Sequence, residues 1–324
     1  MNSEYKISVI IATYKRYQKL YDCLQSLVEC SGRYDKKFEV IVVDDGGRLC
    51  KKIEKEFEKL DIKWVYLAHN SGQPAAQGTG ADRAKGEILA FLDDDAVVDA
   101  HWLSAIEHCF EQYPDIGAVV GKINPIDTGH LLPRMRQQIY ERRHREYMDG
   151  TAQERIREKY GYSTSQNVPL SDHISGGNFA IYGSVLKQIG GFSRNLSRGS
   201  DGEMTRRLLM AHVLVAYEPE MIIFHHHNTK YLTLFKNNIE EGKTKVKSAC
   251  PEVSLHHLWK KALTDLVMSP FRILRFPEMF EADRFYFRVY FVYWFVQLFD
   301  AIGQVSQCVI FSFPYFFSSH RRES

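Results

Sequence analysis

The sequence has no C-x-x-C pair, no G-x-G-x-x-G or G-x-x-x-x-G-K string and almost no net charge, and it lacks an apolar run of the roughly 20 residues that a membrane-spanning helix needs. Each absence removes a class of function. The six cysteines (Cys23, Cys30, Cys50, Cys109, Cys250 and Cys308) have neither metal-ligand nor redox spacing, so reduced core thiols in a cytosolic protein are expected. Lys and Arg number 42 against 40 Asp and Glu, a net charge of +2, and that leaves no global field to attract nucleic acid. Without the glycine fingerprints, a diphosphate cradle built from backbone amides is not expected. The first apolar run, ISVIIA, meets charge again at Lys15 and is too short for a signal segment, so no export is expected.

What is present reads as an α/β protein. A chain of 324 residues, 44% of them apolar, can bury a sizeable core. The runs ISVIIA at 7–12, FEVIVV at 38–43 and EILAFL at 87–92 suit strands buried on both faces, and a shorter strand is expected at 63–67. Leu20, Cys23, Leu24, Leu27 and Val28 fall at helical spacing, as do Leu49, Ile53, Phe57 and Leu60. Residues 70–85 read as a loop and helix, and a helix carrying Trp102, Ile106 and Phe110 leads to a strand at 117–123. This alternation predicts a doubly wound, mainly parallel sheet flanked by helices.

In such a sheet ligands bind beyond the carboxyl ends of the strands. There the chain places Thr13, Tyr14, Lys15 and Arg16, then Asp44-Asp45-Gly46-Gly47, then Asp93-Asp94-Asp95. With no amide cradle, a diphosphate is bound most simply through a hard divalent cation, which takes oxygen ligands and keeps positions open for phosphate. Asp93 and Asp95 share one strand face and suit that task, whereas Asp94 points to the other. The plain alternative is a solvated acidic turn.

The strings SVIIATYKR, VIVVDDGG, AKGEILAFLDDDA, SGGNFAIYGSVLKQIGGF, SDGEMTRRL and AYEPEMIIFHH follow one another within residues 6–230. In that order they resemble the family 2 glycosyltransferases of the GT-A fold. The resemblance implies a catalytic domain over 1–230, a mixed and mainly parallel sheet, and inverting transfer of one sugar from a nucleotide-diphospho-sugar, UDP by prevalence, to an acceptor hydroxyl. It implies Mg2+ or Mn2+ as cofactor, with Asp95, Asp93 and His225 as ligands. Three consecutive histidines, His225 to His227, cannot all face one ion from a strand, so only the first is assigned. Tyr14 would stack on the base, Asp45 would accept its imino hydrogen, Asp44 or Thr13 would support the ribose, and Arg16 would meet the diphosphate. Asp94 is grouped with these donor-binding residues. Gly176, Gly177 and Asn178 would floor the sugar site, and Asp201 would be the general base, with helix capping through Met204 as its competing role.

The chain departs from the family pattern at Gln77-Gly78, where Arg-Asn is usual, and at Ser200, where Glu is usual. It also lacks the Q-x-x-R-W string of processive synthases, which favours a single transfer. A sugar-nucleotide pyrophosphorylase would carry a Gly-rich activating loop after the first strand, and a non-catalytic binding shell would have lost Asp201 or the D-x-D acids; neither condition holds.

The stretch RMRQQIYERRHR at 134–145 reads as a basic helix, either a solvated face interleaved with Glu141 or a surface for anionic lipid or a phosphorylated acceptor. Beyond it, residues 231–324 are expected to form a helical, aromatic-rich extension. Its apolar stretch is interrupted by Arg288, Asp300, Gln304 and Gln307, which suits a hairpin or an interfacial helix better than a span. The expected partners are therefore the donor, a glycan acceptor that extends to lipid-linked precursors, and the cytoplasmic face of a membrane. The competing reading of the extension is helices packed on the catalytic domain or in a homo-oligomer interface.

Overall fold

Strand β1 (Ile7–Thr13) carries six buried side chains out of seven, a burial pattern that only a central strand covered on both faces allows. The computed structural model describes residues 4–47, 51–161, 168–194, 196, 200–227, 229–249, 253–268 and 286–319. After β1 come α1 (Tyr17–Ser31), β2 (Phe38–Asp44), α2 (Lys51–Glu56), β3 (Ile62–Tyr66), α3 (Gln73–Ala81), β4 (Ile88–Asp93) and β5 (Ala96–Val98). Then follow α4 (Trp102–Gln112), β6 (Ile116–Pro125), α5 (Leu131–Met148), α6 (Thr151–Tyr160), β7 (Asn178–Tyr182), α7 (Gly183–Gln188), α8 (Ser200–Met210) and β8 (Leu214–His225). Among the described residues there follow α9 (Tyr231–Ala249), α10 (Leu255–Met268) and α11 (Tyr286–Ser319).

The expected second helix is shorter than its apolar spacing suggests. It ends at Glu56, and Phe57 and Leu60 are buried in the turn that follows, while Leu49 lies outside the described residues. The third strand begins at Ile62, one residue earlier than expected.

The eight strands form one sheet in the order β3-β2-β1-β4-β7-β6-β8-β5. Strands β1 to β4 pair in parallel, as β6 does with β8, whereas β7 runs antiparallel to β4 and β6, and β5 antiparallel to β8. The sheet is therefore mixed, and each reversal carries residues into the site. Because β7 starts where β4 ends, with Leu92 opposite Asn178, the Gly176-Gly177 turn arrives beside Asp93. Because Ala96 pairs with His225, the end of β8 returns beside Asp95.

One face of the sheet packs Val9, Ile11, Val40, Val42 and Leu92 against Leu20, Leu24, Leu27, Trp102 and Ile106 from α1 and α4. The other packs Ile10, Ile41, Val43, Phe91 and Phe179 against Ala76, Met204 and Leu208, with the Phe91 and Phe179 rings stacked 4.7 Å apart. At the β6–β8 seam only glycine fits position 121. An added Cβ would lie 2.0 Å from the Met221 carbonyl oxygen and 2.4 Å from Asn178 Nδ2. Gly121→Ala is expected to destabilise the domain by about 3 kcal/mol, read as a lower urea midpoint with an unchanged slope.

The chain divides into two compact units. One comprises Met1–Asp127, Ile139–Leu196 and Ser200–His227, and the other Thr128–Gln138, Ser197–Gly199 and Asn228–Ser324. Within the second, α9 and α11 cross closely at Gly242 and Gly303, where an added Cβ would stand 2.0 Å from the backbone oxygens of Asp300 and Ile239. Asp300, Gln304 and Gln307 are buried there, with Asp300 held by Lys245 at 2.8 Å and by Gln304 at 3.0 Å. Ile302, Val309 and Ile310 on the same helix are exposed, so Asp300, Gln304 and Gln307 face inward beside Ala301 and Cys308 while those three aliphatic residues face outward. Among the described residues no helix is long and apolar enough to cross a membrane.

Candidate active site

Asp93 closes β4, Asp95 lies two residues on, and His225 closes β8; one ligand atom from each falls within 4.8 Å of the others. His225 Nε2 stands 3.2 Å from both Asp93 Oδ2 and Asp95 Oδ1. Burial disfavours charge on His225, but its hydrogen bonds to Asp93 and Asp95 prevail and push its pKa up to about 10. Burial also acts on Asp95, where the hydrogen bond and charge of His225, with Arg16 and Lys19, hold the carboxyl well below its usual range. Arg16 Nη1 lies 2.8 Å and Lys19 Nζ 3.3 Å from Asp95 Oδ2, and Gln73 Nε2 donates to Asp93 Oδ1 at 2.7 Å.

Asp94 turns to the opposite side, as strand alternation requires, and is fully buried. Thr13 Oγ1 donates to it at 2.7 Å and Arg16 pairs with it, while burial pushes its pKa up to about 6 against those two partners. Thr13 and Asp94 thus fix the guanidinium of Arg16 at the carboxyl edge of the sheet instead of lining the cleft. Tyr14 is exposed, with Lys15 Nζ 5.0 Å from its ring centre, leaving an open aromatic face at the end of β1. Asp44 accepts the Gly47 amide at 2.9 Å. Asp45 is 4% exposed and accepts the Ser71 and Gly72 amides at 2.7 and 2.8 Å, with acceptor capacity left on both oxygens. Gly46 adopts φ 78° where an added Cβ would sit 2.3 Å from the Asn70 nitrogen, so the Asp-Asp-Gly turn needs glycine there.

The floor expected from Gly176, Gly177 and Asn178 borders both sets of acids. A Cβ on Gly177 would meet Asp93 Oδ2 at 2.3 Å, and one on Gly176 would meet Asp201 Oδ1 at 2.6 Å. Asp201, in the first turn of α8, accepts the Gly176 amide at 2.9 Å through Oδ2. Asn178 is fully buried, accepts from Trp102 Nε1 at 2.9 Å and donates to the Lys122 and Met221 carbonyls at 3.0 Å, locking the start of β7. Gln77, at the first departure from the family pattern, donates to the Gly176 carbonyl at 3.1 Å and supports the same turn. The residues brought together are thus Asp93, Asp95, His225, Arg16, Gly176, Gly177 and Asp201.

Three participants escape a strand-end reading. Lys19 follows Arg16 by three residues on the first turn of α1, Gln73 opens α3 after Gly72, and the His227 ring stacks on His225 at 4.6 Å. His227 lies two residues past the end of β8, where strand alternation no longer assigns a face, so the sequence carries no signal for it.

The model of Glycosyl transferase family 2 matches residues 8–182, more than half of the chain. The glucosyl-dolichyl phosphate glucuronosyltransferase of Haloferax volcanii is 24% identical over 205 residues, covering 60% of this chain and 58% of that protein, less than two thirds of its length. Glycosyltransferase AglE of the same organism is 25% identical over 274 residues, covering 81% of this chain and 80% of its own. Among solved structures, the mannosyltransferase PcManGT of Pyrobaculum calidifontis, in complex with GDP-Man and Mn2+, superposes with a TM-score of 0.53 at 16% identity, covering 95% of this chain and 75% of that one. Residues 1–349 of S. aureus TarS, in complex with UDP-GlcNAc, superpose with a TM-score of 0.51 at 14% identity, covering 92% and 89%. At these identities the structures establish a shared GT-A fold. Taken with the sheet and its acidic edge, the match over residues 8–182 shows that the chain is a glycosyltransferase belonging to Glycosyl transferase family 2.

Proposed function

We propose that this glycosyltransferase moves one sugar, with inversion, from a UDP-sugar to an acceptor hydroxyl, using Mg2+ or Mn2+ held by Asp93, Asp95 and His225. The observation that carries the reading is the convergence of these three ligand atoms within 4.8 Å, one glycine away from the turn that holds Asp201. Two carboxylates and an imidazole fit a mid-sized divalent cation and leave positions for phosphate oxygens. Such a cation, when bound, stabilises the charge that grows on a departing nucleoside diphosphate.

The chain's own groups do the rest. Tyr14 offers its open face to the base, and Asp45 keeps acceptor capacity beside it. Arg16, aimed by Thr13 and Asp94, contributes positive charge to the diphosphate. Asp93 lies against Gly177 and Asp201 against Gly176, consecutive positions of one turn, so a sugar lying on it has a leaving-group side and a base side. Asp201 accepts the proton of the incoming hydroxyl as the new bond forms, and no covalent sugar–enzyme bond is required.

Two observations support a lipid-linked acceptor presented at a membrane surface. One is the relative whose name includes a dolichyl phosphate, and the other is the exposed aliphatic residues Ile302, Val309 and Ile310 of α11. The test is the anomeric configuration of the product, read from the anomeric proton coupling after turnover of an α-linked donor. A β-linked product is expected. An α-linked product together with a trapped glycosyl-enzyme would overturn the single-displacement reading.

A further inference from the structure

We infer that Lys19 is a diphosphate-binding residue whose ammonium passes from Asp95 to a phosphate oxygen of the donor, a step that rests on the sugar-transfer reading above. Lys19 stands on the first turn of α1, three residues after Arg16, so the two side chains leave the same side of the chain and meet one carboxylate. Lys19 Nζ lies 3.3 Å and Arg16 Nη1 2.8 Å from Asp95 Oδ2, while Asp95 Oδ1 faces His225 at 3.2 Å. The carboxylate therefore separates a basic side from the side it shares with Asp93 and His225.

The two cations are not held alike. Arg16 is tied a second time, through Nε at 3.2 Å, to the fully buried Asp94, which Thr13 holds in turn at 2.7 Å. Lys19 has Asp95 as its one partner among the described residues, and its side chain is 41% exposed against 8% for that of Asp95. So exposed an ammonium, on an acid that Arg16 and His225 already serve, adds little to stability. Its flexible four-carbon stem leaves it the one of the three that is able to move. Lys15, the other lysine at this edge, lies over the Tyr14 ring at 5.0 Å and so belongs to the base side of the site.

A divalent cation held by Asp93, Asp95 and His225 adds like charge beside that ammonium and weakens the hold of Asp95 on it. Arg16, Lys19 and such an ion together carry more positive charge than Asp93, Asp94 and Asp95 carry negative, so the cluster attracts an anion. A diphosphate drawn to it brings oxygens to the basic side of Asp95, and a rotation of the Lys19 side chain exchanges the carboxylate for one of them. The same exchange sets an ammonium where negative charge grows as the sugar departs.

Two affinities measured on the full chain test this, because the exchange moves them in opposite directions. Mn2+ binding is read by electron paramagnetic resonance without nucleotide, and binding of UDP, GDP and dTDP by calorimetry with Mn2+ at saturation. In Lys19→Gln, Mn2+ alone is expected to bind at least as tightly as in the wild type, with a gain of about threefold, since a competing cation has left Asp95. The diphosphate that the wild-type chain binds is expected to bind the variant at least about tenfold more weakly. Lys19→Arg, which keeps the charge, should recover part of that affinity. Retained Mn2+ binding also reports that the variants fold. A diphosphate affinity that Lys19→Gln leaves within about threefold overturns the inference. So does a parallel loss of Mn2+ and diphosphate affinity, which would mean that Lys19 only shapes the metal cluster. A wild-type chain that binds none of the three diphosphates with Mn2+ contradicts the sugar-transfer reading itself, a result distinct from equal binding by wild type and variant.

Discussion

Asp95→Ala is expected to lower kcat/KM for sugar transfer by about a thousandfold or more, because it removes the ligand around which the cluster is built. Asp95 faces His225 at 3.2 Å and is the one acid that Arg16 and Lys19 also approach, so its loss dissolves the arrangement from both sides. Mn2+ affinity, followed by electron paramagnetic resonance, should weaken by more than about a hundredfold, in line with losses seen when ligation is disturbed even at one remove. The fold should survive, since Asp95 sits on the cleft edge and the hydrophobic faces of the sheet do not include it. Retained Mn2+ binding in this variant would show that the cation sits elsewhere.

Asp201→Asn should behave differently. Asparagine has the same shape, and its side-chain oxygen can still accept the Gly176 amide, now held at 2.9 Å, so the floor of the sugar site stays in place. What it cannot do is take a proton from the acceptor hydroxyl. The expected result is a fall in kcat of about a hundredfold to ten-thousandfold with donor KM changed by less than about threefold. A matching loss in donor affinity would mean that Asp201 serves the floor rather than the proton transfer. The two substitutions therefore separate the ends of the reaction: one loses the metal and the leaving-group side, the other only the hydroxyl side.

Much of this was legible in the sequence, for identifiable reasons. The runs that form β1, β2 and β4 are buried on both faces, so continuous apolar stretches marked them, and the acids that follow each run had to emerge at one edge of the sheet. The side to which Asp94 turns also followed from strand alternation. Its work did not, because the buried contact with Thr13 joins residues 81 positions apart and nothing local announces it. Strict alternation of strands and helices likewise hid the antiparallel entry of β7, which is what sets Gly177 against Asp93. The helix expected through Leu60 stopped at Glu56 because burial of Phe57 and Leu60 requires only that they face the core, not that they be helical. In α11, Asp300, Gln304 and Gln307 read as interruptions of an apolar stretch, yet the helix turns them inward, where Asp300 meets Lys245 on α9 and Gln304 donates to Asp300, contacts that nothing local announces.

The most direct measurement is nucleoside diphosphate release from a panel of UDP-, GDP- and dTDP-sugars by the full chain, with Mg2+, Mn2+ or chelator, in the presence of a polyprenyl-phosphate glycan acceptor. The account predicts release from a UDP-sugar that requires the metal, stops with chelator and is lost in Asp95→Ala. Release that is indifferent to chelator, or failure of every nucleotide-sugar to bind with either metal, would contradict it.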